Sequence, residues 1–471
     1  MDSRISARAL AAALGGWRSA DPVYEALADG VRLLCLDNRL PPHTALPAER
    51  ELAAALGLSR TTVAAAYRSL RDTGHIRSIR GSGSVTLPLA RRDPGIRAGA
   101  ADAIDLQQAS PPAWPGLAGV FAEVAGRAAT LVARSGYDVV GQRALREAIA
   151  ARYRDRGIAT EPDQILVTSG AQSAIHLLAS VMLGRADRVL IETPTYPHAA
   201  DAFRRAGARM VALPVTTTDG WDLERAEQAF ARTLPVLAYL MPVFQNPTGR
   251  TMSAAEAEVV RAAAERAGTL LVVDETTAEL AVDAPAADPF AGDAGVTRLG
   301  SLGKTVWGGL RIGWIRSSRE LVSRLAAARP VHDLGTPEFE QAVAVELMGR
   351  MPEIVAQRAG HLRAGRDALA AALRARLPEW RVPETAGGVS LWVELDAPLS
   401  APLVMAARGR GLYLSAGARF AVEGGHDRHL RVPFTAPADQ LVRAADILAE
   451  TWPAVLAGAP VARLDRYDAV V

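Results

Sequence analysis

Lys304 is the only lysine in the chain; every other one of its 53 basic side chains is an arginine. Arginine stays charged, whereas lysine can lose a proton and become a nucleophilic amine able to form a Schiff base. A lysine kept in so arginine-biased a composition points to chemistry that arginine cannot do, and its neighbours decide against a plain surface charge. They read Gly300-Ser301-Leu302-Gly303-Lys304, after an apolar run and before Gly308-Gly309-Leu310-Arg311-Ile312-Gly313. Small residues let a bulky ligand approach the backbone, and Ser301 and Arg311 can both donate to a phosphate. Upstream, Thr168-Ser169-Gly170-Ala171-Gln172 ends an expected strand and opens a helix, which turns free backbone N–H groups toward an anion. Asn246-Pro247-Thr248-Gly249 follows another expected strand, and Asp274 ends the run LLVVD, where a buried carboxylate could face a ring nitrogen. Singly, the first is also a turn and the second also a helix cap. In this order around one lysine they describe a cofactor site.

A second set of residues suits DNA. Ser59-Arg60-Thr61-Thr62 opens a helix whose first residues can reach base edges, Arg60 by forking onto guanine. Glu49 and Arg50 open the preceding helix, where an arginine can reach a phosphate and set register. Arg77 and Arg80 lead into Gly81-Ser82-Gly83, a tip slim enough for a minor groove.

These residues need elements to position them. An amphipathic pattern over 22–36 predicts one helix and AERELAAALGL a second, closed by Gly57. Ser59 caps a third, which Gly74 ends. HIRSIRGSGSVTLPL then reads as two short strands. Three helices and a hairpin make a winged helix-turn-helix over 21–87, preceded by an N-terminal arm over 1–20. Residues 88–116, aperiodic and rich in Ala, Arg, Gly, Asp and Pro, read as a linker. Over 117–455 helical stretches alternate with apolar runs, which predicts an α/β body with a mostly parallel sheet and a smaller α+β subdomain over about 345–455. A tail covers 456–471.

Composition is ordinary for a globular chain, at 49% hydrophobic and 22% charged residues. No run of ~18 apolar residues predicts a membrane span, and the N-terminus makes a poor signal peptide. One cysteine, Cys35, excludes an internal disulfide framework and a multi-cysteine metal site, and fits a reducing cytoplasm. Residues 1–92 carry 13 arginines against 8 acids, while the rest is slightly acidic. A basic head on an acidic body suggests that the head meets a polyanion.

The stretch LPAERELAAALGLSRTTVAAAYRSLRDTGHIRSIRGSGSV resembles the GntR family's DNA-binding domain, with departures at Ala48 and, just ahead of the stretch, at His43. The region 117–455 resembles the fold-type I, class I aminotransferases, which bind pyridoxal 5′-phosphate. That resemblance implies that Lys304 is the Schiff-base lysine, that Asp274 pairs with the pyridinium nitrogen, and that Asn246 bonds the ring O3′. It implies that Tyr196 stacks on the ring, that Ala171, Gln172, Ser301 and Arg311 hold the phosphate, and that Arg431 takes a ligand α-carboxylate. Tyr137 resembles the tyrosine that reaches the partner subunit's phosphate. The tyrosine that usually follows the aspartate is missing from Asp274-Glu275-Thr276-Thr277, which should slow transamination; Thr276 or Thr277 is the expected partial substitute.

Head, linker and body together resemble the MocR subfamily of bacterial regulators. The resemblance implies a cytoplasmic, head-to-tail homodimer that binds double-stranded operator DNA. Its effector would be an amino compound or pyridoxal phosphate itself, sensed through a Lys304 aldimine, with at most weak transaminase activity. The rival is an active class I aminotransferase with an accessory DNA-binding head.

Overall fold

The computed structural model describes residues 4–18, 22–79, 83–89, 103–133, 135–293 and 295–458. In the head, α1 (Ala7–Leu14), α2 (Val23–Leu36), α3 (Glu49–Leu56) and α4 (Arg60–Asp72) precede a hairpin of β1 (Ile76–Ile79) and β2 (Gly83–Thr86). Gly57 adopts the left-handed conformation, φ +65°, that closes α3, at little cost because it lacks a Cβ. Ser59 then caps α4, its Oγ accepting from the Thr62 N–H at 3.0 Å. The apolar stripes meet in one cluster that includes Leu27, Val31, Leu52, Val63, Leu70 and Ile76. The hairpin is antiparallel, with Ile76 opposite Thr86 and Ile79 opposite Gly83.

Two segments differ from the sequence reading. The expected arm over 1–20 contains α1, which Ser6 caps and which sends Leu10 and Leu14, with Trp17 beyond it, into the head core. Eight residues show too little periodicity to announce such a helix. The expected linker over 88–116 also ends early. Residues 90–102 lie outside the described residues, but β3 (Ile104–Asp105) pairs in parallel with Leu412–Tyr413. Leu106 and Ala109 join the small subdomain's core, and Trp114 is buried with its N–H on the Val306 carbonyl at 2.9 Å. Isolated apolar residues among prolines and glycines carry no period, so tertiary pairing alone reveals them. The tail beyond residue 458 lies outside the described residues.

The body contains β4 (Ile165–Thr168), β5 (Arg188–Thr193), β6 (Arg209–Thr216), β7 (Gly220–Trp221), β8 (Leu237–Leu240), β9 (Leu270–Asp274), β10 (Thr297–Ser301) and β11 (Gly313–Arg316). They form one sheet in the order β4-β11-β10-β9-β8-β5-β6-β7. Neighbours from β10 through β6 run parallel; β11 and the edge strand β7 run against their neighbours. Val189 and Ile191 point into one core and Leu190 into another, so β5 is apolar throughout because helices cover both faces. The directions place the ends of β4, β5, β8, β9 and β10 at one edge of the sheet. Ligands of open α/β sheets bind in the crevice outside such ends.

The small subdomain adds β12 (Ser390–Glu394), β13 (Leu412–Tyr413), β14 (Ser415–Ala416) and β15 (His429–Pro433). The antiparallel order β12-β15-β14 packs under the helices Met351–Arg376, Ser400–Gly409 and Ala438–Ala457. No helix among the described residues is long and apolar enough to cross a membrane.

Candidate functional site

A cavity of about 810 Å³ opens at the strand ends, with Lys304, Ser301, Asp274, Asn246, Arg311 and Arg431 on its wall. The Lys304 Nζ donates to the Ala109 carbonyl at 2.8 Å. Burial, and then the Arg431 guanidinium, lower its pKa to about 8. The amine is therefore within reach of its neutral, nucleophilic form near neutral pH.

Asp274 is buried at the end of β9, which pushes its carboxyl above the ordinary range. Two donors oppose that shift. The Tyr239 hydroxyl donates to Oδ2 at 2.5 Å, and the Thr276 N–H donates to Oδ1 at 2.9 Å. Tyr239 escaped the sequence reading because it sits inside an apolar strand, where a buried tyrosine looks like core. Strand alternation with Leu237, on the same face, was the available signal. Thr276 lines the cavity and supports Asp274, while the Thr277 hydroxyl is spent on the Val243 carbonyl at 3.0 Å.

The anion end is built from close approaches. The helix Ala171–Met182 starts after Gly170, φ +95°, with no side-chain cap, which leaves its first N–H groups to an anion. A Cβ on Gly170 would lie 2.5 Å from the Arg311 Nη2, and one on Gly313 would lie 2.6 Å from the Gly170 carbonyl carbon. Arg311 donates to the Ser169 carbonyl at 2.6 Å, and the Ser301 Oγ accepts from the Gly303 N–H at 3.0 Å. Tyr196 lines the same cavity beside Ala171 and Gln172, and burial raises its hydroxyl to about 12.

Arg431, 7% exposed on β15, stacks 4.8 Å over Phe420 and donates to the Gln107 carbonyl. Its Nε, the Asn246 Oδ1 and the Gln172 Oε1 are buried without hydrogen-bond partners. Buried polar atoms are rarely left so, and these three, on the same wall as Lys304, fit a polar, phosphate-bearing ring. Tyr137 lies elsewhere: it is 71% exposed and is not part of the cavity wall.

The opposite wall comes from the head and from the former linker, neither anticipated from the sequence. Leu36 ends α2 and Asp37, Asn38 and Leu40 follow it, Leu87 and Leu89 follow the wing, and Gln107 and Ser110 follow β3. The head is docked there: Leu33 of α2 joins the small subdomain's core, and the Gly16 N–H donates to Asp427 Oδ1 at 2.9 Å.

On the head's other side, Arg50, Ser59, Arg60, Thr61 and Arg77 are exposed. The Arg60 Nε lies 3.6 Å from Glu49 Oε2, so the openings of α3 and α4 face each other. The Ser59 Oγ lies 2.7 Å from both the Thr61 and the Thr62 hydroxyls. Gly83, φ +87°, begins β2; Arg80, Gly81 and Ser82 lie outside the described residues.

Residues 126–448 match the family model described as aminotransferase class I and II, and residues 23–85 match that of bacterial regulatory proteins, gntR family. The uncharacterized HTH-type transcriptional regulator YdfD of Bacillus subtilis is 26% identical over 86% of this chain and 91% of its own length. The probable rhizopine catabolism regulatory protein MocR of Rhizobium meliloti is 31% identical over 63% of this chain and 66% of its own. The crystal structure of LysN, the alpha-aminoadipate aminotransferase of Thermus thermophilus, complexed with N-(5′-phosphopyridoxyl)-L-leucine, superposes with a TM-score of 0.69 at 27% identity. That match covers 76% of this chain and 94% of LysN.

Proposed function

Because the chain belongs to the aminotransferase class I and II family and carries a GntR-family head, we propose that it is a transcription regulator whose operator affinity answers to an amino compound. Its cofactor is pyridoxal 5′-phosphate. When bound, that group supplies an aldehyde for amines and a ring that accepts electrons. The chain's residues divide the remaining work. Lys304 presents a low-pKa amine to the aldehyde, and Ala171, Gln172, Ser301 and Arg311 take the phosphate. Asp274, steadied by Tyr239 and Thr276, holds the proton on the ring nitrogen. Asn246 meets the ring hydroxyl, Tyr196 covers the ring face, and Arg431 receives a carboxylate.

The observation that carries this reading is the cavity wall itself: it is assembled from the cofactor-binding edge of the body and from the DNA-binding head. An amino compound bound beside Lys304 would touch the head as well as the body, and so could alter how the head packs and the spacing of recognition helices. In the cytoplasmic, head-to-tail homodimer that we propose, two heads read two half-sites, and a change of spacing is a change of affinity. Tyr137, on the body's surface, is then available to the partner's phosphate site.

The test is reduction of the loaded protein with borohydride, in wild type and Lys304→Ala, together with binding to DNA from upstream of its gene. A cofactor fixed to wild type alone, and operator affinity that moves with amine concentration, are the expected results. Operator binding indifferent to pyridoxal phosphate and to every amine would sink the reading. The Tyr239–Asp274 bond favours ring protonation and so keeps a slow transaminase in play as a second reading. Steady release of keto acid with an added acceptor would establish it.

A further inference from the structure

Asp37 occupies a place that none of the cofactor-binding residues explains. It caps the C-terminal end of α2, where the helix dipole opposes a negative charge. It is 8% exposed, lines the cavity, and its Oδ2 is buried with no hydrogen-bond partner. A carboxylate held this way is costly unless a cation meets it.

Among the described residues, each nearby cation also has another partner. Burial raises the Asp37 carboxyl above the ordinary range, and Arg419, Arg39 and Arg408 offset that only in part. Arg39 donates to the Ala13 carbonyl at 2.9 Å. Arg408 stacks 4.9 Å over the Tyr413 ring, and Arg419 pairs with Asp201 at 3.3 Å. The other unpartnered buried atoms on this wall are one donor, the Arg431 Nε, and the side-chain oxygens of Asn246, Gln172 and Gln107. Arg431 is the charged donor among them and Asp37 the carboxylate, so the cavity wall carries one group for each sign of ligand charge.

We propose that Asp37 receives a cationic nitrogen at the far end of the ligand, so that the sensed compound is an amino acid or amine bearing a second ammonium or guanidinium group. The proposal rests on the reading that an amino compound meets the cofactor at Lys304. It makes the ligand a direct bridge, with one end on the body and the other on the element that leads into α3 and α4. An acidic far end would meet the Asp37 charge and be repelled.

Full-length protein loaded with pyridoxal 5′-phosphate is titrated with L-lysine, L-arginine, L-norleucine and L-2-aminoadipate while visible absorption is followed. Norleucine lacks only lysine's far ammonium. Wild type is expected to favour lysine or arginine over norleucine by at least about tenfold, the scale of a charge-assisted hydrogen bond, with 2-aminoadipate weakest. Asp37→Asn is expected to erase that preference, and Asp37→Glu to keep part of it. Equal or better binding of norleucine or 2-aminoadipate by wild type overturns the proposal whether or not the variants fold. So does a preference that survives in Asp37→Asn. Borohydride trapping in parallel separates the two readings: no lysine-linked cofactor in wild type removes the premise, whereas a trapped cofactor with no charge preference removes only the Asp37 subsite.

Discussion

Burial, reinforced by Arg431, lowers the Lys304 amine from an ordinary 10.5 to about 8, and this has a direct kinetic consequence. The neutral amine is the nucleophile, so it accumulates as pH rises through about 8 instead of through the range of a surface lysine. Capture of added pyridoxal phosphate by cofactor-free protein is therefore expected to accelerate with pH, reach half its limit near pH 8 and level off above it; stopped-flow absorption checks this. A flat profile, or one still climbing far above pH 8, would mean the amine is not held as described. Tyr239→Phe removes the 2.5 Å bond to Asp274. The carboxyl then rises further, and with Asp274 as the proposed partner of the ring nitrogen, cofactor affinity is expected to fall by roughly tenfold or more, measured by titration at fixed pH. Lys304 and Asp274 stood out in the sequence because rarity and strand-end position are properties of the chain. Tyr239 and Asp37 did not, because an ordinary residue becomes special only through what surrounds it.

Elements were legible where their ends carry distinctive chemistry. Ser59 and Gly57 marked the turn between α3 and α4, and the structure uses both as caps. Ser59→Ala is expected to cost about 1 kcal/mol in urea unfolding. Arg60→Ala should leave stability within about 0.5 kcal/mol, since its pairing with Glu49 at 3.6 Å is exposed. Operator affinity in that variant should nevertheless fall by roughly five- to a hundredfold. Equal affinity with wild type would exclude Arg60 from the base contacts. Gly313→Ala tests the anion cradle from behind. Its Cβ would sit 2.6 Å from the Gly170 carbonyl carbon and 2.8 Å from the Ala171 nitrogen, so β11 and the helix start cannot both keep their places. Phosphate-dependent cofactor binding should drop while unphosphorylated pyridoxal is less affected. Elements with few residues and no signature, α1 and β3, were invisible from the sequence and emerge only as packed pieces.

At the scale of the molecule, head and body share surface: α2 lays Leu33 into the small subdomain's core, and Gly16 bonds Asp427. Leu33→Ala is expected to weaken docking by about 2–5 kcal/mol, the usual cost of truncating a buried leucine. Head and body should then unfold in two separate calorimetric transitions. A single shifted transition would mean that they stay coupled by other contacts. The sequence by itself determined the two-part plan, the mostly parallel sheet and the residues that ring Lys304, because periodicity, caps and rare residues act locally along the chain. Only the tertiary structure decided that the segment after residue 103 belongs to the body and that the head walls the ligand cavity. Those are contacts between residues hundreds of positions apart, such as Ala109 with Lys304 and Gly16 with Asp427, and no local pattern records a distance closed by folding.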